Sequence, residues 1–191
     1  MMELQEKLQA VQREIERIMV HGKRLIVAID GRCGSGKTSL AAALQEKYGY
    51  PVIHMDDFFL RPEQRTAERL ATPGENVDHE RFLTEVLIPL SAGKKVTYCP
   101  FSCRIMALEE PITLPRAVVT IVEGSYACHP SLREYYDLRV FLDVDGETQM
   151  SRILRRNGPE KAEEFRRRWI PLEELYFSKL NVADTCDLIL K

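Results

Sequence analysis

Three glycines within six residues, Gly31, Gly34 and Gly36, constrain this chain more than any other feature. Glycine loses much conformational entropy on folding and contributes no side-chain packing, so such a cluster indicates a backbone that bends where side chains would clash. The run RLIVAID before it is apolar and is typical of a strand buried on both faces of a parallel sheet. Residues 38–48 after it have a helical pattern that ends at a glycine. The sequence therefore predicts a tight turn that joins a buried strand to a helix.

This turn matches the phosphate-binding loop pattern, Gly-x-x-x-x-Gly-Lys-Thr. In such a loop the backbone N–H groups and the positive helix end converge on a triphosphate. Lys37 is predicted to reach the β- and γ-phosphate oxygens, and the Thr38 hydroxyl to bind Mg²⁺. The alternative is a strand-to-helix turn that binds nothing. The residues predicted to bind the nucleotide here are Gly31, Cys33, Gly34, Ser35, Gly36, Lys37, Thr38 and Ser39.

The rest of the chain alternates apolar runs with helical patterns. After RLIVAID the runs are PVIHM, AVVTIVEG, LRVFLDV and CDLILK. The pattern predicts one α/β domain with a doubly wound, mainly parallel sheet of about five strands and helices on both faces. The pattern over residues 93–115 predicts a few short, irregular strands outside the main sheet, which we call the β excursion.

The N-terminus has the spacing of an amphipathic helix, with apolar residues stepping by four and three from Leu4 to Ile18. We therefore predict a helix within residues 1–22 and a domain over residues 23–191. The helix is expected to pack on the domain. The alternative is that it pairs with another chain and forms a homo-oligomer.

Composition excludes several classes of partner. A net charge of −2 gives no general attraction to nucleic acid or to an anionic membrane. No apolar run approaches the roughly 20 residues that span a bilayer, and the N-terminus is too charged for a signal peptide. Five cysteines without paired C-x-x-C spacing predict reduced thiols in a cytoplasmic protein. Because His54, His79 and His129 are scattered along the sequence, we expect no metal cluster from them.

Acidic residues separate the classes of nucleotide-binding protein. The N/T-K-x-D element of GTPases is absent, and the run VVTIVEG ends in a single acid, Glu123, rather than in the paired acids of remodelling ATPases. Asp56 and Asp57 follow the short run PVIHM, at the carboxyl edge where α/β sheets bind ligands. Phosphoryl transfer to an alcohol needs a carboxylate that accepts the hydroxyl proton. The alternative for either aspartate is a turn or helix cap.

Together these motifs resemble the uridine kinase and phosphoribulokinase family of P-loop kinases, which includes nicotinamide riboside and pantothenate kinases. The resemblance runs from about Leu25 to the C-terminus. It is carried by GRCGSGKT, MDDFF, NVDHERF and VEGSY, and by an R-x-x-x-R helix after a D-x-D strand end.

The resemblance implies a P-loop NTPase-type sheet with an arginine-bearing lid, and ATP with Mg²⁺ as cofactors. Asp56 would be the catalytic base beside Lys37, although Asp57 could exchange roles with it. Glu123 would join Thr38 at the metal ion, and Arg152, Arg155 and Arg156 would form the lid over the ATP phosphates. The implied substrate-binding residues are Asp57, Asp78, Tyr98 and Arg104.

The expected activity is ATP-dependent phosphorylation of a hydroxyl group on a small metabolite, in the first place a ribonucleoside. Asp78 would bind the ribose hydroxyls, whereas its simpler role is an N-cap. The chain departs from uridine kinases at Tyr98-Cys99-Pro100, where they usually have Tyr-Asp. The acceptor could therefore be another alcohol, such as pantothenate or a phosphosugar. The alternative from another class is a P-loop ATPase or regulatory nucleotide-binding protein without an acceptor.

Overall fold

The computed structural model describes residues 2–19 and 23–191. Its central sheet has five strands in the order β2-β7-β1-β8-β9, and every neighbouring pair is parallel. This confirms the predicted doubly wound α/β architecture. The strands in the described part of the chain are β1 (Leu25–Gly31), β2 (Val52–His54), β3 (Thr97–Tyr98), β4 (Phe101–Ser102), β5 (Ala107–Leu108), β6 (Ile112–Thr113), β7 (Val119–Glu123), β8 (Leu138–Leu142) and β9 (Leu188–Leu190).

The helices cover both faces of this sheet. Short π-helical turns at Leu83–Leu87 and Phe165–Trp169 join consecutive helices into longer helical segments. No helix in the described part of the chain has both the length and the apolar character needed to span a bilayer. The α-helices are α1 (Leu4–Ile18), α2 (Lys37–Tyr48), α3 (Ala67–Ala71), α4 (His79–Phe82), α5 (Ile88–Ser91), α6 (Gly146–Glu164) and α7 (Ile170–Lys179).

Alternation along the central strand β1 divides the core into two layers. Leu25, Val27 and Ile29 point into one apolar cluster, and Ile26 and Ala28 into the other. Successive side chains of a strand face opposite sides of the sheet, so a strand buried in both layers reads as the continuous apolar run seen in the sequence.

The N-terminal helix α1 packs on the first of these layers. Leu8, Val11 and Ile15 are at most 2% exposed and belong to the same cluster as the odd-numbered residues of β1. The structure therefore favours packing on the domain, because the apolar stripe that would pair with another chain is already covered. The predicted boundary at residue 22 lies outside the described residues.

The sheet register brings three strand ends together at one edge. Glu123, the last residue of β7, lies opposite both Ile29 of β1 and His54 of β2. Gly31 ends β1 against Leu142 of β8, so closely that an added Cβ would lie 2.1 Å from the Leu142 carbonyl oxygen. The predicted β excursion is confirmed as two small antiparallel pairs, β3–β6 and β4–β5.

Candidate active site

The phosphate-binding loop has the backbone of an anion cradle. Gly34 and Gly36 have φ values of +76° and +100°, which favour glycine, and Gly36 is the N-cap of α2. A Cβ on Gly36 would meet nothing within 4 Å, so one side of the loop is open. The Ser35 hydroxyl is buried without a hydrogen-bond partner in the described structure. Open space, a free hydroxyl and a helix N-terminus fit a bound phosphate.

Lys37 turns its ammonium group back into this loop. Its Nζ donates to the Gly31 carbonyl oxygen at 2.6 Å and to the Arg32 carbonyl oxygen at 3.0 Å, and the residue is 8% exposed. The charge is therefore held over the cradle by neutral carbonyl groups, which a phosphate would replace with a stronger charge-assisted partner.

Thr38 and Glu123, the two residues predicted to bind a metal ion, lie next to each other. The Thr38 hydroxyl oxygen lies 3.3 Å from both carboxylate oxygens of Glu123, although they are 85 positions apart in the sequence. The pKa of nearby Asp56 is raised, first because the surrounding protein desolvates its carboxylate and second because of the negative charge of Glu123. A hydroxyl and nearby carboxylates are the hard oxygen ligands that Mg²⁺ prefers, so these residues fit the ion.

His54 is a member of this site that our sequence analysis did not include. Its Nδ1 lies 2.5 Å from Oε1 of Glu123, and this hydrogen bond is the main reason that the pKa of His54 is raised. The signal in the sequence was its place at the end of β2, beside the two aspartates. His54 thus occupies one oxygen of Glu123 that a cation would otherwise share.

The two adjacent aspartates have different surroundings. Asp57 accepts a hydrogen bond from the Tyr98 hydroxyl at 2.8 Å, whereas Asp56 makes no hydrogen bond with another described residue. The pKa of Asp57 is also raised, chiefly by burial. Tyr98 is 3% exposed and packs on Phe58 with ring centroids 5.0 Å apart. Of the two carboxylates, Asp56 is therefore the one left available for a ligand.

Asp78 caps α4 and keeps one carboxylate oxygen without a hydrogen bond. Its Oδ1 accepts the Arg81 backbone N–H at 3.1 Å. Its Oδ2 is buried without a hydrogen-bond partner in the described structure, 3.6 Å from Nε of both Arg61 and Arg81. A buried carboxylate oxygen without a hydrogen bond is costly, and a ligand hydroxyl would satisfy it.

Arg81 was missed by sequence reasoning, yet it connects the substrate side of the cleft. Its guanidinium donates to the Asp57 carbonyl oxygen at 2.8 Å and to the Cys99 carbonyl oxygen at 2.9 Å. The same group lies 4.2 Å from the Phe58 ring centroid. It therefore fixes the aspartate motif against the β excursion, a role that helix periodicity could not reveal.

The helix α6 is docked on the phosphate-binding loop by polar side chains. Arg152 donates to the Gly34 carbonyl oxygen at 3.0 Å, and Gln149 to the Cys33 carbonyl oxygen at 3.0 Å. Arg155 and Arg156 are exposed, and Arg156 makes its described contacts with Asn157 of its own helix and with the Phe165 ring in the following π-helical turn. Of the three arginines predicted to form the lid, the structure brings Arg152 to the loop.

Glu173 of α7 links the same loop to the end of β7. It accepts hydrogen bonds from the Cys33 backbone N–H at 3.0 Å and from the Ser125 hydroxyl at 2.6 Å. Burial, followed by the charge of Glu173, raises the pKa of Cys33 to about 12, so this thiol is neutral at physiological pH. Glu173 stands 140 positions from Cys33, and no local pattern pointed to it.

Two predictions about other residues have different outcomes. The structure does not bring Arg104 to the cleft: it is exposed in the turn between β4 and β5 and makes no hydrogen bond or ion pair with the rest of the described chain. Although His79 and His129 are far apart in the sequence, the structure brings them together, and their rings stack with centroids 4.1 Å apart. These two residues are 50 positions apart in the sequence, and they meet because the start of α4 lies against the loop after β7.

A cleft of about 540 Å³ adjoins the phosphate-binding loop. It lies between the loop, the segment after β8 and the start of α6. Its size and position suit the base and sugar of a nucleotide whose phosphates lie in the loop. The lining residues are Arg32, Asp143, Val144, Asp145, Gly146, Gln149 and Lys191.

Comparison with known proteins found similar sequences but no matching family model. The chain is 29% identical over 154 residues to uridine-cytidine kinase B of Dictyostelium discoideum, an alignment that covers 74% of this chain and 62% of the relative. It is 29% identical over 150 residues to the uridine kinase of Alkaliphilus metalliredigens, covering 72% and 70% of the two chains. The match thus spans less than two thirds of the Dictyostelium protein.

Solved structures share the fold at lower identity. A protein from Bacillus stearothermophilus described as a possible uridine kinase superposes with a TM-score of 0.71 at 21% identity, with both chains fully covered. The D-glycerate 3-kinase of Cryptococcus neoformans superposes with a TM-score of 0.65 at 14% identity, covering 90% of this chain and 87% of that one. At these identities the likeness establishes the fold, and the two names differ in the alcohol that is phosphorylated.

Proposed function

We propose that this chain, which is similar in sequence to uridine kinases, belongs to the uridine kinase-like family of P-loop kinases and transfers the γ-phosphoryl group of ATP to a hydroxyl group of a small metabolite. One observation carries this proposal: Lys37, Thr38, Glu123 and Asp56 meet at the carboxyl edge of the sheet, beside an open phosphate cradle. This set combines phosphate binding with a carboxylate that makes no hydrogen bond to the protein.

The residues divide the work of phosphoryl transfer between binding and proton movement. The loop amides and Lys37 would hold the triphosphate, and Thr38 and Glu123 would hold Mg²⁺, which would supply positive charge next to the phosphate oxygens. Asp56 accepts the proton of the attacking hydroxyl; the raised pKa indicates a carboxylate that is more basic than an ordinary aspartate. Tyr98 and Arg81 hold Asp57 in place, so its carboxylate orients the acceptor or supports its neighbour.

A ribonucleoside is the acceptor that this cleft supports best. The Oδ2 of Asp78 is the buried oxygen that a sugar hydroxyl would satisfy, and Arg61 is the partly exposed side chain that covers it. The two hydroxyls of a ribose can each donate to one carboxylate. The part of the site that would select the base has no comparable group among the described residues, since Cys99 stands where uridine kinases usually have an aspartate.

An ADP-release assay across candidate acceptors tests the proposed function. With Mg²⁺ and ATP, we expect release to rise severalfold on adding a ribonucleoside and to stay at its basal rate with pantothenate, D-glycerate or phosphosugars. Detection of the phosphorylated product completes the assay. Hydrolysis that no acceptor stimulates would contradict the kinase and favour the alternative, a P-loop ATPase.

Replacing Asp78 by serine separates helix capping from substrate binding. Serine also caps helices, so Asp78→Ser should unfold at nearly the same temperature as the wild type. Loss of the carboxylate should raise KM for the ribonucleoside at least about tenfold with little change in kcat, as expected for an interaction made equally in ground and transition states. Steady-state kinetics with varied acceptor and varied ATP measure this.

The control for this substitution uses the acceptor rather than the enzyme. A 2′-deoxynucleoside should be poorer than the ribonucleoside for the wild type, and the difference should nearly vanish in Asp78→Ser. If the variant still discriminates ribose from deoxyribose as the wild type does, Asp78 is only a cap. Asp78→Ala, which removes the cap as well, should lose about 1 kcal/mol of stability.

A cytoplasmic location and a reduced state of the thiols are part of this proposal. All five cysteines are free in the structure. Unpaired thiols are typical of a reducing compartment, where ATP is also available.

A further inference from the structure

A second group of ligating side chains lies behind the substrate side of the cleft. Glu75 stands in the turn before α4, His79 is the first residue of that helix, and His129 follows β7 in another part of the chain. The two imidazole rings stack almost in parallel, with an interplanar angle of 16°. The side chains of His79, His129 and Glu75 are 11%, 9% and 25% exposed. Three groups that bind transition metals are thus held together from two distant segments.

The distances between the donor atoms suit one metal ion. Nε2 of His79 lies 3.2 Å from each carboxylate oxygen of Glu75, and Nε2 of His129 lies 3.7 Å from the nearer one. The three ligand atoms all lie within 4.8 Å of one another. In a tetrahedral zinc site with bonds of 2.0–2.1 Å, donor atoms are about 3.3 Å apart. Nε2 of His79 and the Glu75 oxygens are already near this spacing, and Nε2 of His129 lies somewhat farther from Glu75.

Ser131 supports the other side of both rings. Its hydroxyl oxygen lies 2.7 Å from Nδ1 of His129 and 3.1 Å from Nδ1 of His79. A hydroxyl oxygen has two lone pairs and can accept a hydrogen bond from each Nδ1–H. In that arrangement both Nε2 atoms are free to bind a metal, which is how outer hydrogen bonds orient metal-binding histidines. Nδ1 of His129 can instead accept the Ser131 backbone N–H at 3.3 Å, which leaves the proton on its Nε2, so metal binding requires the first arrangement.

We propose that Glu75, His79 and His129 bind one transition-metal ion of the Zn²⁺ type. Imidazole ligands favour Zn²⁺, Co²⁺ or Ni²⁺ over Mg²⁺, so this site is chemically distinct from the oxygen site of Thr38 and Glu123. Oε2 of Glu80, 3.8 Å from Nε2 of His79, or a water molecule supplies the fourth ligand. Arg69 lies within 3.5 Å of one oxygen of Glu75 and 2.6 Å of Glu80, so one cation already balances part of the two carboxylate charges.

Such an ion would act as a structural clamp. It would tie the start of α4, next to Asp78, to the loop after β7, two segments that also meet through the stacked histidine rings and the Ser131 hydroxyl. The proposal does not depend on the kinase activity, because its ligands include none of the residues assigned to ATP or acceptor.

Cobalt binding to the chelator-treated protein, without nucleotide, tests this site. We expect one equivalent of Co²⁺ to give the visible absorption of a tetrahedral nitrogen–oxygen site, and Zn²⁺ to displace it. Glu75→Gln and His129→Asn should each weaken binding at least about tenfold. Circular dichroism of the metal-free variants verifies folding. Because Glu75 is partly exposed, we expect Glu75→Gln to fold, and this variant tests the site by itself if His129→Asn does not fold. Zn²⁺ should also raise the unfolding temperature of the wild type and not that of Glu75→Gln.

Two matched variants exclude other places for the ion. Cys103→Ser removes an exposed thiol, and Glu123→Gln removes the carboxylate of the oxygen site; both should bind Co²⁺ as the wild type does. The proposal is overturned if no Co²⁺ binds, if binding is unchanged in Glu75→Gln and His129→Asn, or if it is lost in either control variant.

Discussion

Asp56→Asn is expected to lower kcat about 10²- to 10⁴-fold while leaving the affinity for ATP nearly unchanged. Asparagine keeps the size of the side chain but cannot accept a proton from the acceptor hydroxyl. The structure supports Asp56 for this role because its carboxylate makes no hydrogen bond with another described residue, and its pKa is raised by crowding and by Glu123. Nucleotide affinity depends on the loop, which Asp56 does not form. Single-turnover kinetics, with ATP binding measured separately, give both quantities.

The adjacent aspartate is the matched control for this substitution. Asp57 accepts the Tyr98 hydroxyl, so Asp57→Asn exchanges one acceptor for another at that bond and should lower kcat less than Asp56→Asn does. A larger loss in the Asp57 variant would assign the base to Asp57. Equal activity of Asp56→Asn and wild type would rule out general-base catalysis by Asp56.

Lys37→Ala should reduce kcat/KM by about 30- to 1000-fold, which corresponds to about 2–4 kcal/mol of lost transition-state stabilisation. Lysine at this position can place a full positive charge against the phosphate oxygens as charge moves during transfer. The structure holds Nζ only on the carbonyl oxygens of Gly31 and Arg32, so a phosphate would exchange two neutral partners for a charged one. Initial rates at varied ATP concentration measure the loss.

Lys47, near the other end of the same helix, provides the comparison. It is exposed and lies over the Tyr48 ring, so Lys47→Ala removes the same charge from α2 without reaching the loop, and its kinetics should match those of the wild type. Thermal unfolding verifies that Lys37→Ala remains folded despite losing its two bonds. A folded Lys37→Ala with normal turnover would refute the assignment of the phosphate-binding loop.

The fold and the loop were predictable because their signals are local. The apolar run before Gly31 indicates a strand that is buried on both faces. The close approach of Gly31 to the Leu142 backbone explains why no other residue fits at that position. Acidic residues at the end of a strand mark the edge of the sheet where ligands bind. This pattern predicted that Asp56 and Glu123 lie at that edge, although the distances between them could not be predicted. Each of these inferences uses residues that are neighbours in the sequence.

What sequence reasoning missed depends on contacts between distant segments. Glu173 reaches the phosphate-binding loop from the last helix, and His54 meets Glu123 only through the register of two parallel strands. The pairing of His79 with His129 requires the crossover between β2 and β7 to be known in three dimensions. No periodicity encodes such pairs, since each partner alone looks like an ordinary polar residue of a turn or helix.

The break within α6 divides that helix into two halves. Gly158 has φ 79° and ψ 171°, a conformation that is open essentially to glycine alone, and Pro159 has no N–H to continue the helix. The three arginines predicted to form a lid precede this break, and Gln149 and Arg152 hold that half of the helix against the loop. A rotation about Gly158 would therefore move residues 159–169 relative to the half of α6 that is docked on the loop, and it would separate Ala162 from Cys33 and Ile153, with which it packs.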